Sequence, residues 1–175
     1  MTRKQITEPA DMARIIQGGK ATFTLVSARS GTRFTYKAMA PKGRLKDGNT
    51  DFPVIFLSVL SDSDNEGRYS YLGQVFPPLS GLRYFHGKKA RAGTDSPSAR
   101  LIAWLLDQLQ GNGTKLDQVE FWHEGKCSRC GRKLTVPESI DTGFGPDCAA
   151  MAGITYTKRT AKRAKAPESV EDVAC

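Results

Sequence analysis

Hydrophobic and polar positions change period several times along the chain, and each change predicts an element. Thr7 to Gln17 offers a capping threonine, an early Pro9 and apolar Met12, Ile15 and Ile16 before Gly18-Gly19, the spacing of a short amphipathic helix. Thr22-Phe23-Thr24-Leu25-Val26 and Thr32-Arg33-Phe34-Thr35-Tyr36 place β-branched and aromatic residues at alternating positions around Ser30-Gly31, which predicts a hairpin. From Met39 to Asp51 the apolar repetition stops; Pro41, Gly43 and Gly48 surround a lone Leu45, so a long loop over 39–52 is expected. The continuous apolar run Val54 to Leu60 predicts a buried strand. Tyr69 to Val75, mixed in character and separated from it by polar Asp62 to Gly67, predicts a more exposed neighbour. After Ser96-Pro97, residues Ile102, Leu105, Leu106 and Leu109 fall on one helical face before Gly111. Val119, Phe121 and Trp122 then suggest a last strand running into His123. These elements predict an α+β fold, an antiparallel sheet with one or two covering helices.

Composition narrows the class. The 175 residues are 39% hydrophobic and carry a formal charge of +8, values that suit a folded chain with a polyanionic partner. No apolar run approaches the roughly 18 residues of a membrane span, and Met1 to Gln5 is not followed by an apolar signal core; a cytoplasmic protein with no membrane partner is expected. The excess positive charge lies outside the segment that holds the cysteines. Three regions follow: an α+β domain over 1–115, a metal module over 116–157 and a basic, then acidic, disordered tail over 158–175.

Three of the four cysteines lie between positions 127 and 148, too few and too clustered for a disulfide scaffold. Cys127-Ser128-Arg129-Cys130-Gly131 sets two thiols across a tight turn, and Cys148 follows after a separation that fits zinc modules built from two half-sites. Three soft ligands at this spacing point to Zn2+. A second Cys-x-x-Cys is excluded because Met151 stands where its last cysteine belongs. His123, four residues before Cys127, is the chosen fourth ligand, with Asp147, His86, Cys175 or water as alternatives. Arg129, Arg132 and Lys133 flank the sulfurs, placed to balance the thiolate charge or to meet phosphates.

Cys127-Ser128-Arg129-Cys130-Gly131-Arg132-Lys133-Leu134, then Pro137-Glu138-Ser139, then Gly143-Phe144-Gly145-Pro146-Asp147-Cys148 follow the pattern Cys-x-x-Cys-Gly-Arg-x-Leu, Pro-x-Ser, Gly-x-Gly-Pro-x-Cys. This segment, residues 127–148, resembles a small zinc-ribbon family of unassigned function found in phage, plasmid and other bacterial proteins. The resemblance implies a zinc ribbon or knuckle following the sheet. It implies no reaction.

For function, the leading expectation is sequence-tolerant nucleic-acid binding with single-stranded DNA favoured. Arg83, Lys88, Lys89 and Arg91 stand beside Tyr84 and Phe85, while Phe34, Tyr36, Tyr69 and Tyr71 occupy predicted strands; rings stack on bases and cations meet phosphates. The block Lys158, Arg159, Lys162 and Arg163 offers a further salt-sensitive contact. Two other classes stay open. One is a protein-interaction module that binds and inhibits a host enzyme. The other is a zinc-dependent hydrolase with an open metal position and Glu124 or Asp147 as base. No His-Glu-x-x-His, phosphate-binding glycine loop or Gly-x-Ser-x-Gly elbow is present, and the cysteine order differs from that of the zinc deaminases, so a non-enzyme is expected.

Overall fold

Proline and serine fix where the two longer helices begin. In the computed structural model, which describes residues 4–41, 54–61, 68–76, 82–112 and 115–155, α1 (Pro9–Gln17) starts on its proline and buries Met12, Ile15 and Ile16. α2 (Pro97–Asp107) is capped by Ser96, whose hydroxyl accepts from the Ala99 N–H at 3.3 Å. It buries Ile102, Leu105 and Leu106. It ends two residues earlier than the apolar periodicity predicts, because the chain widens into an irregular turn over Gln108–Asn112 around Gly111 at φ +90°.

Seven strands form one antiparallel sheet: β1 (Lys4–Ile6), β2 (Lys20–Ser27), β3 (Arg33–Met39), β4 (Ile55–Leu60), β5 (Tyr69–Phe76), β6 (Arg83–His86) and β7 (Val119–His123). Their spatial order is β1-β7-β2-β3-β4-β5-β6. The expected hairpin is β2–β3, with Phe23 opposite Tyr36 and Leu25 opposite Phe34. β7 inserts between β1 and β2, so residues on both sides of position 115 share the sheet. β1 and β6 were not expected as strands. Three and four residues are too short to display a period, and both form only because a longer neighbour supplies their hydrogen-bond partners.

One face of the sheet is the core. Phe23, Leu25, Tyr36, Ala38, Leu57, Leu72, Val75 and Phe121 are fully buried there, together with the apolar sides of α1 and α2. Phe23 stacks on Phe121 at 4.7 Å and on Tyr36 at 5.7 Å. The Tyr36 hydroxyl donates to the Ser98 carbonyl at 2.8 Å and ties sheet to helix. Tyr36 is therefore not among the exposed rings expected to meet bases, and Phe34, half-buried on the same side of β3, lies away from the open face.

The other face is open among the described residues, and the register shows what it carries. Residues paired across antiparallel strands share a face. One row runs Thr22, Lys37, Ser58, Tyr71; a second runs Met39, Phe56, Gln74, Phe85; Arg83 pairs with Phe76 beyond them. A bulge between Leu57 and Ser58 shifts the β4–β5 register and brings Ser58 against Tyr71. No described helix is long and apolar enough to cross a membrane. Residues 42–52 of the expected loop, the 158–175 tail with Lys158, Arg159, Lys162 and Arg163, and Cys175 lie outside the described residues.

Candidate metal centre and the open sheet face

Beyond β7 the chain turns at Gly125 (φ +68°) and folds into a small knuckle. Lys126 pairs with Lys133, the Cys127 N–H donates to the Arg132 carbonyl at 2.7 Å, and the Leu134 N–H donates to Gly125 at 2.9 Å. Gly131 closes the turn at φ +79°, a conformation that side chains with a Cβ rarely adopt, and its N–H reaches the Cys127 carbonyl at 2.8 Å. A short helix α3 (Pro137–Thr142) follows and stops at Gly143, φ +76°. α4 (Pro146–Met151) then presents Cys148 from its first turn. The knuckle rests on the sheet: the Lys20 N–H donates to the Ser128 carbonyl at 2.7 Å, and a Cβ on Gly18 would stand 2.7 Å from that same oxygen. Lys4 forms an ion pair with Asp141, joining β1 to α3.

This path brings the sulfurs of Cys127, Cys130 and Cys148 within 4.8 Å of one another. A tetrahedral ion with thiolate bonds of about 2.3 Å needs sulfurs roughly 3.8 Å apart, so three sulfurs this close could share one metal ion. Burial works against ionisation of Cys127, but N–H groups of Cys130, Gly145 and Arg129 outweigh it and carry the thiol below its ordinary value. The Gly145 N–H lies 3.4 Å from that sulfur. Cys148 goes the other way: burial, then the neighbouring Cys127, push it up to about 12.

The sign of the pH response follows. Metal-free Cys148 holds its proton, a bound ion must displace it, and acid therefore favours the metal-free form. Between pH 8 and pH 6 the apparent metal affinity is expected to fall about tenfold per pH unit for each thiol proton displaced. Competition against a chelator of known pH dependence measures this, and a flat response would exclude thiol ligation.

His123 does not join the sulfurs. As the last residue of β7 it points inward like Phe121, and it is fully buried on the α1 side of the sheet. Its Nδ1 accepts from the Gly125 N–H at 3.3 Å, while Nε2 faces the Ile15 and Gly143 side without a hydrogen-bond partner. Burial holds its pKa below the usual histidine value. The imidazole is thus turned toward Ile15 and Gly143, and among the described residues only the three sulfurs cluster within 4.8 Å of one another. His86 is also occupied elsewhere, with Nδ1 2.9 Å from the Tyr84 hydroxyl and Nε2 3.0 Å from the Ala92 carbonyl. Asp147 does border the sulfurs. With Arg132, Lys133 and Ser139 it lines a cleft of about 280 Å³ above Cys127, Cys130 and Cys148.

Residues 120–153 match the family of unknown function DUF6011. The matched segment opens inside β7 and closes just after α4, so it takes in the knuckle, both short helices and the strand that anchors them. No curated protein and no solved structure matches the chain.

Around the matched segment the fold assembles cations that are scattered in sequence. Lys126 leads directly into Cys127, and Lys37 on the open face is held below the ordinary lysine value by partial burial and then by the positive charge of Lys126. Lys20 reaches the same region, since a Cβ on Gly131 would touch its Cδ at 3.7 Å. Arg132 and Lys133 are exposed, whereas Arg129 is only 6% exposed.

Rings continue from these cations across β4, β5 and β6. The Lys37 ammonium lies 3.7 Å over the Tyr69 ring. Tyr71 is tilted against Phe56 at 6.5 Å, and Phe76 meets Phe85 edge-on at 5.4 Å. Phe85 is 54% exposed. Gly87 packs against Tyr71 and starts the turn that exposes Lys88 and Lys89, with Arg91 exposed beyond it. Of the residues expected from sequence, Arg83, Tyr69 and Tyr71 thus share the open face, with Lys88, Lys89 and Arg91 beside its β5–β6 edge. Lys20, Lys37, Lys126, Phe56 and Phe76 were missed, because only strand register reveals that they lie together.

Proposed function

We propose that the chain is a zinc-containing nucleic-acid-binding protein, sequence-tolerant and favouring single-stranded DNA. The donors support zinc: three soft sulfurs within 4.8 Å of one another suit it better than hard cations. Cys127, Cys130 and Cys148 would hold the ion, which pins the knuckle to the sheet. The observation that carries the binding reading is the open sheet face, where Tyr69, Tyr71, Phe76 and Phe85 continue from the mutually repelling Lys37 and Lys126. A phosphate near the two lysines relieves their repulsion while bases stack on the adjoining rings. Unpaired bases present such faces; a duplex hides them.

A titration of labelled single-stranded DNA, duplex and RNA over a range of salt tests this reading. Affinity for the single strand is expected to exceed that for duplex and to fall as salt rises. Phe85→Ala and Tyr71→Ala are each expected to weaken it about 5- to 150-fold, the span of roughly 1–3 kcal/mol per stacked base. Lys37→Ala is expected to lower the salt slope by about 0.7. Absence of binding at low salt would overturn the proposal. A chain ending at Thr157 separates the sheet face from the tail, because binding lost entirely on truncation would move the interface to Lys158–Lys165.

The three-sulfur cluster and Asp147 in its cleft also favour a second reading, a zinc-dependent hydrolase with water in the fourth position. Three thiolates leave zinc a weaker Lewis acid than neutral histidine ligands do, so the structural role is preferred. Glu124 does not line the cleft; it accepts from the Thr24 hydroxyl at 2.9 Å on the sheet face. Hydrolytic turnover that disappears in a folded, metal-loaded Asp147→Asn variant would reverse this order.

A further inference from the structure

A groove of about 690 Å³ lies where the β2–β3 turn faces α2 and shares no lining residue with the cleft over the sulfur cluster. The register sets Phe34 opposite buried Leu25, on the helix side of the sheet, so this groove and the open aromatic face lie on opposite sides. Its volume falls within the roughly 300–1,000 Å³ of small-molecule sites. Two rings, Phe34 and Trp104, and two exposed guanidinium groups, Arg29 and Arg100, line it, and no carboxylate does so among the described residues. Neither arginine forms an ion pair with a described residue.

The turn wall is held in place before any ligand arrives. Ser27 and Thr32 are joined by a backbone hydrogen bond of 2.9 Å, the Gly31 N–H donates to the Ser27 carbonyl at 2.8 Å, and the Ser30 hydroxyl donates to Thr32 Oγ1 at 3.0 Å. Gly31 sits at φ +66°, where the turn requires a residue without a Cβ. On the opposite wall, the first turn of the capped helix α2 contributes Pro97 and Arg100, so the positive end of its dipole adds to the guanidinium charge. Flat apolar rings beside planar cations that have no ionic partner among the described residues select a ligand that is itself a flat ring carrying an anion.

We propose that this groove is a second binding site, for a nucleoside phosphate, with the base against Phe34 and Trp104 and the phosphate on Arg29 and Arg100. The ligand is either a free mononucleotide or the terminal nucleotide of a strand. The site does not depend on nucleic acid binding the open face.

Trp104 and Trp122 are the two tryptophans, and Trp122 lies on the open face with its indole N–H donating to Glu120 at 2.8 Å. Trp122→Phe therefore leaves Trp104 as sole reporter in the full chain. Its emission is followed while adenosine 5′-monophosphate, adenosine, ribose 5-phosphate and a 5′-phosphorylated oligodeoxyadenylate are added separately. Saturable quenching by the mononucleotide, with adenosine and ribose 5-phosphate each at least about tenfold weaker, is the expected result and identifies a free ligand. Quenching by the oligomer alone supports the site with a strand end as its source. Adding Arg29→Gln and Arg100→Gln together is expected to weaken the response by at least about tenfold, with the unfolding midpoint unchanged. Adding Phe85→Ala is expected to leave it intact, even where that change abolishes strand binding on the open face. Absence of saturable quenching by all four probes, or a response indifferent to loss of both arginines, would overturn the proposal and leave the open-face reading standing.

Discussion

Serine in place of Cys127 is expected to reduce bound metal to less than about a tenth of stoichiometric and to release residues 125–151 from the sheet. Cys127 is the buried member of the cluster and the sulfur on which several backbone N–H groups converge, so its loss removes both a ligand and the centre of the knuckle. The segment holds few buried apolar side chains of its own, chiefly Leu134, Phe144 and Ala149. A bound ion would therefore supply much of its folding free energy, on the order of 10 kcal/mol where the ion is a structural zinc. Elemental analysis of the purified variant reads the first effect; hydrogen exchange across 125–151 reads the second. His123→Gln is the matched comparison and is expected to retain full metal, because the imidazole points into the core. Release of metal by His123→Gln from protein that is otherwise folded would sink the three-sulfur assignment.

Phe121→Ala is expected to cost about 3–5 kcal/mol of global stability, the range for emptying a fully buried aromatic position. The ring stacks on Phe23 at 4.7 Å, and Phe23 in turn meets Tyr36, so the cavity would open in the middle of the largest cluster of core rings. β7 also stands between β1 and β2 and leads into the knuckle, so a weakened β7 is felt by both edges of the sheet and by the metal centre. Urea denaturation measures the change. Phe85→Ala, on a side chain 54% exposed, is expected to cost less than about 1 kcal/mol in the same assay. Equal losses in the two variants would mean that the inner and outer faces of the sheet are misassigned.

The sulfur cluster could be read from sequence because its spacing is local. Cys127 and Cys130 belong to one turn, and the Gly-Phe-Gly-Pro run before Cys148 demands a sharp reversal that returns the third sulfur. The fourth ligand could not be read the same way. His123 is close to Cys127 along the chain, but its orientation depends on strand parity, and parity depends on which face of β7 meets α1. The nucleic-acid residues divide along similar lines: Arg83, Lys88, Lys89 and Arg91 stand out as one basic cluster, whereas Lys20, Lys37 and Lys126 are far apart and each looks like an ordinary surface lysine.

By itself the sequence determined the α+β class, the β2–β3 hairpin, the capped start of α2 and the three cysteines, because helix and strand periods, caps and turns act over a few neighbouring residues. Only the tertiary structure decided that β7 enters the sheet beside β2, that His123 turns inward, and that lysines and rings from different strands converge on one face. Those outcomes rest on pairings such as Thr24 with Trp122, far apart along the chain, whose register is selected by burying Phe23 against Phe121 rather than by any local preference of either strand.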